Sequence, residues 1–272
     1  PRWAWDLDKI ANLELSDDVV SLLMKEMRGL SDDLQLGLRV ASCLGFCVSY
    51  SSLDILSKDL GVDLRDLLDQ MVQKGFMVRV DDDRIRFAHD KIQQAAYEMM
   101  STQQQLESHM RFGLAICSHT LNDRSGNDEL FFVAVNQMNR GGAGSLPDPQ
   151  QQVMVAALNL KAGKRSIELS DFSTALKLFE HGISFLSDDR RWTSQYNLSL
   201  KLFDSAVETA CALNETLAVR SLSEQVVAHA RCPDDKLKCL YAVAKSLRLA
   251  FKFEESRKVG ENCCCLVLCA RV

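Results

Sequence analysis

Phe76-Met77-Val78-Arg79-Val80, then Asp81-Asp82-Asp83, then Arg84-Ile85-Arg86-Phe87-Ala88 is the stretch on which the fold of the first half turns. The last segment alternates charged or small residues with large apolar ones, the period-2 signature of a half-buried strand. Phe76 to Val80 reads as its partner strand, and the three aspartates as the turn between them. Helical periods surround this hairpin. Upstream, Ser16-Asp17-Asp18 caps a helix to about Leu30, and Ser31-Asp32-Asp33 caps a second that Gly45 stops. A short third helix starts at Ser51-Ser52 and ends at Gly61. A fourth starts at Asp63 and ends at Gly75; its Leu64, Leu67, Leu68, Met71 and Val72 keep the i, i+3, i+4, i+7, i+8 spacing of one buried face.

Small helices followed by two strands and a polar turn make a winged helix. Beyond His89 the period is helical again: Ile92, Ala95, Ala96, Met99 and Met100 share a face, and further helices are expected over about 102–121 and 128–138. Arg140-Gly141-Gly142-Ala143-Gly144-Ser145-Leu146-Pro147-Asp148-Pro149 interrupts all periodicity and is the best domain boundary. Helices then come in pairs: 153–169 with 172–186, 192–213 with 215–230, and 234–250 with a helix from Phe253 onward. Starts recur about every 40 residues, the range of helical repeat arrays. Ala162, Gly163, Ala175 and Gly182 would let neighbouring helices approach closely. The expected fold class is therefore mainly α. A winged-helix-containing helical bundle (1–140) and a linker (141–150) lead into an α-solenoid of tetratricopeptide-like hairpins (151–272).

Composition narrows the functional classes. The chain has 272 residues, 47% hydrophobic and 25% charged, with a net charge of -5. No long basic run provides the footprint of a nucleic-acid binder, and no apolar stretch reaches the ~18–20 residues that cross a bilayer. Pro1-Arg2-Trp3-Ala4-Trp5-Asp6 has no apolar core after its charge, so it is not a signal peptide; without an initiator Met it suggests a fragment. The ten cysteines include Cys43, Cys117, Cys211 and Cys239, placed singly within helical patterns where a free thiol serves as a small hydrophobe. A reducing, cytoplasmic compartment is the expected setting.

The segment Arg86-Phe87-Ala88-His89-Asp90-Lys91-Ile92-Gln93-Gln94-Ala95-Ala96-Tyr97 resembles the "FxHDxxQxAAY" segment of large STAND-type, AAA-related signalling ATPases that accompany sensor histidine kinases or serine/threonine kinases. Arg39-Val40-Ala41-Ser42-Cys43-Leu44-Gly45 is similar to the start of that family's winged helix. Ala157-Leu158-Asn159-Leu160-Lys161-Ala162-Gly163-Lys164 with Ser170-Asp171-Phe172-Ser173-Thr174-Ala175 is similar to its tetratricopeptide-like array. The resemblance implies a nucleotide-binding core upstream of Pro1, a winged helix acting as its lid, and repeats that bind a protein partner. It implies ATP or ADP only together with that upstream domain; no cofactor is expected in this chain. No Gly-x-x-x-x-Gly-Lys-[Ser/Thr] loop occurs here, so the chain itself is expected not to be an enzyme.

His89 is the candidate nucleotide-sensing residue. It lies in phase with Ile85 and Phe87, which predicts an inward-pointing ring. The resemblance implies contact with the beta-phosphate of ADP. A charge-assisted bond of about 1.5–3 kcal/mol would bias a closed state roughly 10- to 100-fold. Asp90 is expected to cap the following helix. The bland alternative has His89 packing and bonding a nearby carbonyl. A histidine-kinase phosphoacceptor would resemble His-[Glu/Asp]-x-x-x-Pro, and here the sixth position is Gln94.

Other candidates reduce to structure. The helix from Asp63 carries Asp63, Asp66 and Asp69 against Arg65 and Lys74, and the turn is Asp81-Asp82-Asp83, so DNA phosphates would be repelled. Cys263-Cys264-Cys265 with Cys269 lacks structural-zinc spacing. His109, His119, His181 and His229 are expected to be surface or satisfied packing residues. Asp188-Asp189-Arg190-Arg191 is expected to be a solvated loop. The expected partners are proteins and an intramolecular ATPase domain, with no nucleic acid and no membrane insertion.

Overall fold

A computed structural model describes the chain over residues 15–122 and 128–269, with side chains over 20–120 and 128–261. The molecule is mainly helical and divides into two compact units, Pro1–Gly141 and Gly142–Val272. The readings of the N-terminal hexapeptide and of the cysteine side chains from Cys263 to Cys269 fall outside the described residues.

In the first unit, α1 (Leu15–Arg28) and α2 (Asp32–Leu44) precede a short strand β1 (Cys47–Ser49). Helices α3 (Tyr50–Leu60) and α4 (Leu64–Gln73), strands β2 (Met77–Arg79) and β3 (Arg84–Phe87), and helices α5 (Asp90–Glu98), α6 (Thr102–Asn122) and α7 (Asp128–Gly141) follow. The sheet is antiparallel in the order β1-β3-β2, with Val48 opposite Ile85 and Met77 opposite Phe87. Cap chemistry sets the local boundaries. Ser49 accepts from the N–H of Ser52, Asp63 accepts from that of Asp66, and Gly61 (φ 72°) and Gly75 (φ 80°) take the left-handed turns that end α3 and α4. On β3, Ile85 and Phe87 are fully buried beside Leu38, Leu53, Leu64, Leu68 and Met71. The alternation read from the sequence therefore places the core.

Two local expectations change. The sheet has a third strand, because Cys47-Val48-Ser49 is too short to show a period yet completes the open edge of β3. Strand β2 is also shorter than Phe76 to Val80: the Phe76 N–H bonds back to the Met71 carbonyl at 3.0 Å and belongs to the end of α4.

The second unit opens with a 3-10 turn (Ala143–Ser145), and α8 starts at Pro149, capped by Asp148. Part of the expected linker is thus structured. Helix α8 (Pro149–Glu168) pairs with α9 (Phe172–Ser184). After a single turn, α10 (Asp188–Arg191), come α11 (Tyr196–Ala212) with α12 (Thr216–His229), and α13 (Asp234–Leu249) with α14 (Phe253–Cys269). The three hairpins share one turn. A left-handed residue follows each first helix: Ser170 at φ 63°, Asn214 at 60° and Phe251 at 59°. The next N–H closes onto a carbonyl five residues back: Asp171 to Ser166 at 2.8 Å, Glu215 to Ala210 at 2.9 Å, Lys252 to Leu247 at 2.9 Å. Small residues set the helix spacing. A Cβ on Gly163 would lie 2.3 Å from Cε1 of Phe179, and one on Gly182 would lie 2.6 Å from Cδ2 of Leu202.

In the Asp188-Asp189-Arg190-Arg191 run, Asp188, Asp189 and Arg190 are exposed as expected, but the run is a helical turn and Arg191 turns inward. The Arg191 side chain is only 17% exposed, and its guanidinium bonds the Ile183 and Leu186 carbonyls at 3.2 and 2.9 Å, closing the end of α9.

Candidate functional site

The corner between β3 and α5 is built by capping. Beyond Phe87 the backbone stays extended through His89 (φ -148°, ψ 150°), and α5 begins at Asp90. His89, not Asp90, is the cap: its Nδ1 accepts from the Lys91 N–H at 3.1 Å. Asp90 is the first helical residue, and its Oδ1 accepts from the same N–H at 2.7 Å while touching His89 Nδ1. These roles exclude one another for a single Nδ1. Deprotonated, it accepts from Lys91; carrying a proton, it donates to Asp90.

This overturns the inward-pointing His89. Its side chain is 68% exposed. Phase along a strand governs direction only while the ladder continues, and the ladder ends at Phe87, so the ring turns onto the helix end.

The rest of the segment is consumed by internal contacts. Gln93 Nε2 donates to the Ser42 carbonyl at 3.1 Å, tying α5 to α2. Ala95 and Ala96 are fully buried, small enough to let α5 lie against α1 and α2. Tyr97 reaches a buried imidazole: its Oη is 2.9 Å from Nε2 of His109, whose Nδ1 is 2.6 Å from Oε1 of Gln137. Gln137 donates from Nε2 to the Cys43 carbonyl at 3.0 Å. That donor fixes Oε1 as an acceptor, so His109 carries its proton on Nδ1 and accepts the Tyr97 hydroxyl at Nε2. Burial lowers the His109 pKa, with Arg140 lowering it further and the bond to Gln137 opposing. Cys43 is buried beside this chain, and its thiol is pushed up to about 12 by burial. Sequence reading placed His109 within a helix; its partners lie 12 and 28 residues away and leave no local spacing signal.

His89, Asp90 and Gln94 are left exposed at the corner. Three arginines near α4 and the β2–β3 turn are matched by acids. Arg65 pairs with Asp54 at 2.5 Å, Arg79 with Asp69 at 2.7 Å and Arg84 with Asp81 at 2.7 Å.

Elsewhere, Cys43, Cys117, Cys211 and Cys239 are buried and take no part in a disulfide. Among the described residues no cluster of three His, Cys, Asp or Glu side chains could hold a metal ion. Among them, too, no helix is long and apolar enough to cross a membrane.

Comparison with protein-family models, with curated proteins and with solved structures gave no match to this chain.

Proposed function

We propose that this chain is a non-catalytic regulatory and interaction module of a STAND-type signalling ATPase. In this reading the first unit is a winged-helix lid that sets its His89 corner against the nucleotide domain, and the tetratricopeptide-like hairpins of the second unit dock a protein partner. Nucleotide and partner each favour a different packing, so each shifts the population of the other's bound state. One observation carries the reading. Within the family-like segment, Phe87, Gln93, Ala95, Ala96 and Tyr97 serve the fold, whereas His89 and Asp90 stand exposed at a helix start. An exposed imidazole at a helix N-terminus is suited to a phosphate oxygen.

A second reading, a plain interaction scaffold without nucleotide dependence, draws on a different observation. Nδ1 of His89 is already engaged at the helix end, and the Asp90 carboxylate beside it opposes an anion. Titrating ADP into the parent protein, with and without the repeat-bound partner, separates the two. A changed ADP affinity with partner bound supports the switch; identical affinities support the scaffold.

A further inference from the structure

The first unit holds a cleft of about 290 Å³ between α2, the end of α3 and the first half of α6, which shares no residue with the His89 corner. One wall is Leu36, Arg39 and Val40, at i, i+3 and i+4 on α2. The other is Gln104, Glu107, Ser108 and Arg111, at i, i+3, i+4 and i+7 on α6. Val40, Met100 and Phe112 are buried, so the floor of the cleft is the apolar core itself. Pockets for drug-sized ligands span ~300–1,000 Å³, and a cleft at the lower end of that range suits a smaller molecule.

Two opposite charges line this cleft without meeting. Arg39 uses only its Nε, which donates to the Gln35 carbonyl of its own helix at 3.3 Å, and among the described residues no acid pairs with its guanidinium. Glu107 accepts from the Gln103 amide at 2.7 Å through Oε1, and among the described residues no cation pairs with it. Arg111, one turn on from Glu107, is engaged elsewhere: its Nε donates to the Asp59 carboxylate at 3.0 Å and its Nη2 to the Asp59 carbonyl at 3.4 Å. The Ser108 hydroxyl, next to Glu107 in the chain, reaches only the Met100 sulfur, at 3.9 Å. A wholly apolar ligand would strip water from both charges and pair neither. A phosphate would meet Arg39 but be opposed by the Glu107 carboxylate. A small molecule with an anion, a cation and an apolar body matches all three parts of the lining at once.

We propose that this cleft binds a free aliphatic amino acid. Its carboxylate bonds the Arg39 guanidinium and the Ser108 hydroxyl, its ammonium pairs with Glu107, and its side chain lies on Val40, Met100 and Phe112. The site rests on neither the lid nor the docking role proposed above.

The test is isothermal titration of L-leucine into the whole chain. Beside it run isocaproate, which lacks the amine, isoamylamine, which lacks the carboxylate, glycine, which lacks the apolar side chain, and inorganic phosphate. Saturable binding of leucine is expected, with each of the other compounds about tenfold weaker or more, because each forfeits at least one contact. Arg39→Gln should weaken leucine about tenfold or more. Glu107→Gln should weaken leucine and leave isocaproate no weaker, so that the two bind alike; the retained isocaproate binding shows that the cleft is still formed. Absence of saturable leucine binding to the wild type overturns the inference. Glycine or phosphate binding as tightly as leucine overturns it too. So does isocaproate matching leucine on the wild type, which would assign the cleft to organic acids. Leucine binding that neither substitution changes places the amino acid elsewhere and likewise overturns the site. ADP release and partner binding are separate readouts, so failure here leaves the proposed function standing.

Discussion

The Tyr97 hydroxyl sits 2.9 Å from Nε2 of His109, and through that ring α5 is bonded into the buried chain that ends at the Cys43 carbonyl. A hydrogen-bonded chain that links α5, α6, α7 and α2 makes the protonation of one imidazole a property of the whole first unit.

The first prediction follows from the sign of that shift. His109 has a folded pKa below its ordinary 6.5. Its contribution to stability is present above 6.5 and is lost as pH falls through the lower folded value, because the unfolded chain takes up the proton first. Urea unfolding of the first unit should show declining stability below about pH 6.5. His109→Phe should remove that part of the pH dependence. It should also cost about 1–3 kcal/mol at pH 7, since Gln137 and Tyr97 lose a buried partner. A wild-type profile that is flat through this window contradicts the assignment.

The second unit should respond in the opposite sense. Burial pushes the Asp204 carboxyl up to about 6, with Lys238 opposing and Glu208 and Asp235 adding, and its Oδ1 is buried without a hydrogen-bond partner. The stability tied to its protonation is complete below the unfolded value of 3.8 and is lost as pH rises through about 6. Asp204→Asn should therefore be more stable than wild type at pH 7, with the difference shrinking toward pH 4.5. Denaturation midpoints of the two proteins across that range decide it.

Two glycines give a paired test of helix packing. Gly163→Ala would drive a methyl to 2.3 Å from the fully buried Phe179 ring and should cost about 1–3 kcal/mol. Gly260→Ala on α14 meets nothing within 4 Å among the described residues and should gain about 0.5–1 kcal/mol from helix propensity. Equal effects at the two sites would contradict the close approach of α8 and α9.

The shared hairpin turn can be tested at Ser170. A non-glycine residue at φ 63° is strained, so Ser170→Gly should raise the thermal midpoint by the equivalent of about 1 kcal/mol. A lowered midpoint would mean that the serine side chain matters more than its backbone angle.

Much of this was legible in the sequence because it is local. Asp63, Gly61 and Gly75 announce a cap and two stops, Ile85 and Phe87 alternate with arginines, and Gly163 and Gly182 mark close helix contacts. The helix read as starting at Ser51-Ser52, by contrast, starts at Tyr50 under a Ser49 cap. What escaped was non-local or conditional. Strand β1 has three residues and exists because β3 has an edge to fill. His109 finds its partners through folding. His89 kept the phase of a strand whose ladder had already ended, so parity misassigned its direction. Arg191 looked like surface charge until the two carbonyls that end α9 claimed it.

The most direct measurement of the central claim is the rate of ADP release from the intact parent protein, wild type against His89→Ala. If His89 reaches a nucleotide phosphate, the variant should release ADP roughly 10- to 100-fold faster, the equivalent of one charge-assisted hydrogen bond, with the helical signal of the chain unchanged. An ADP release rate identical to wild type would contradict the lid and leave the second unit's docking role as the function of the chain.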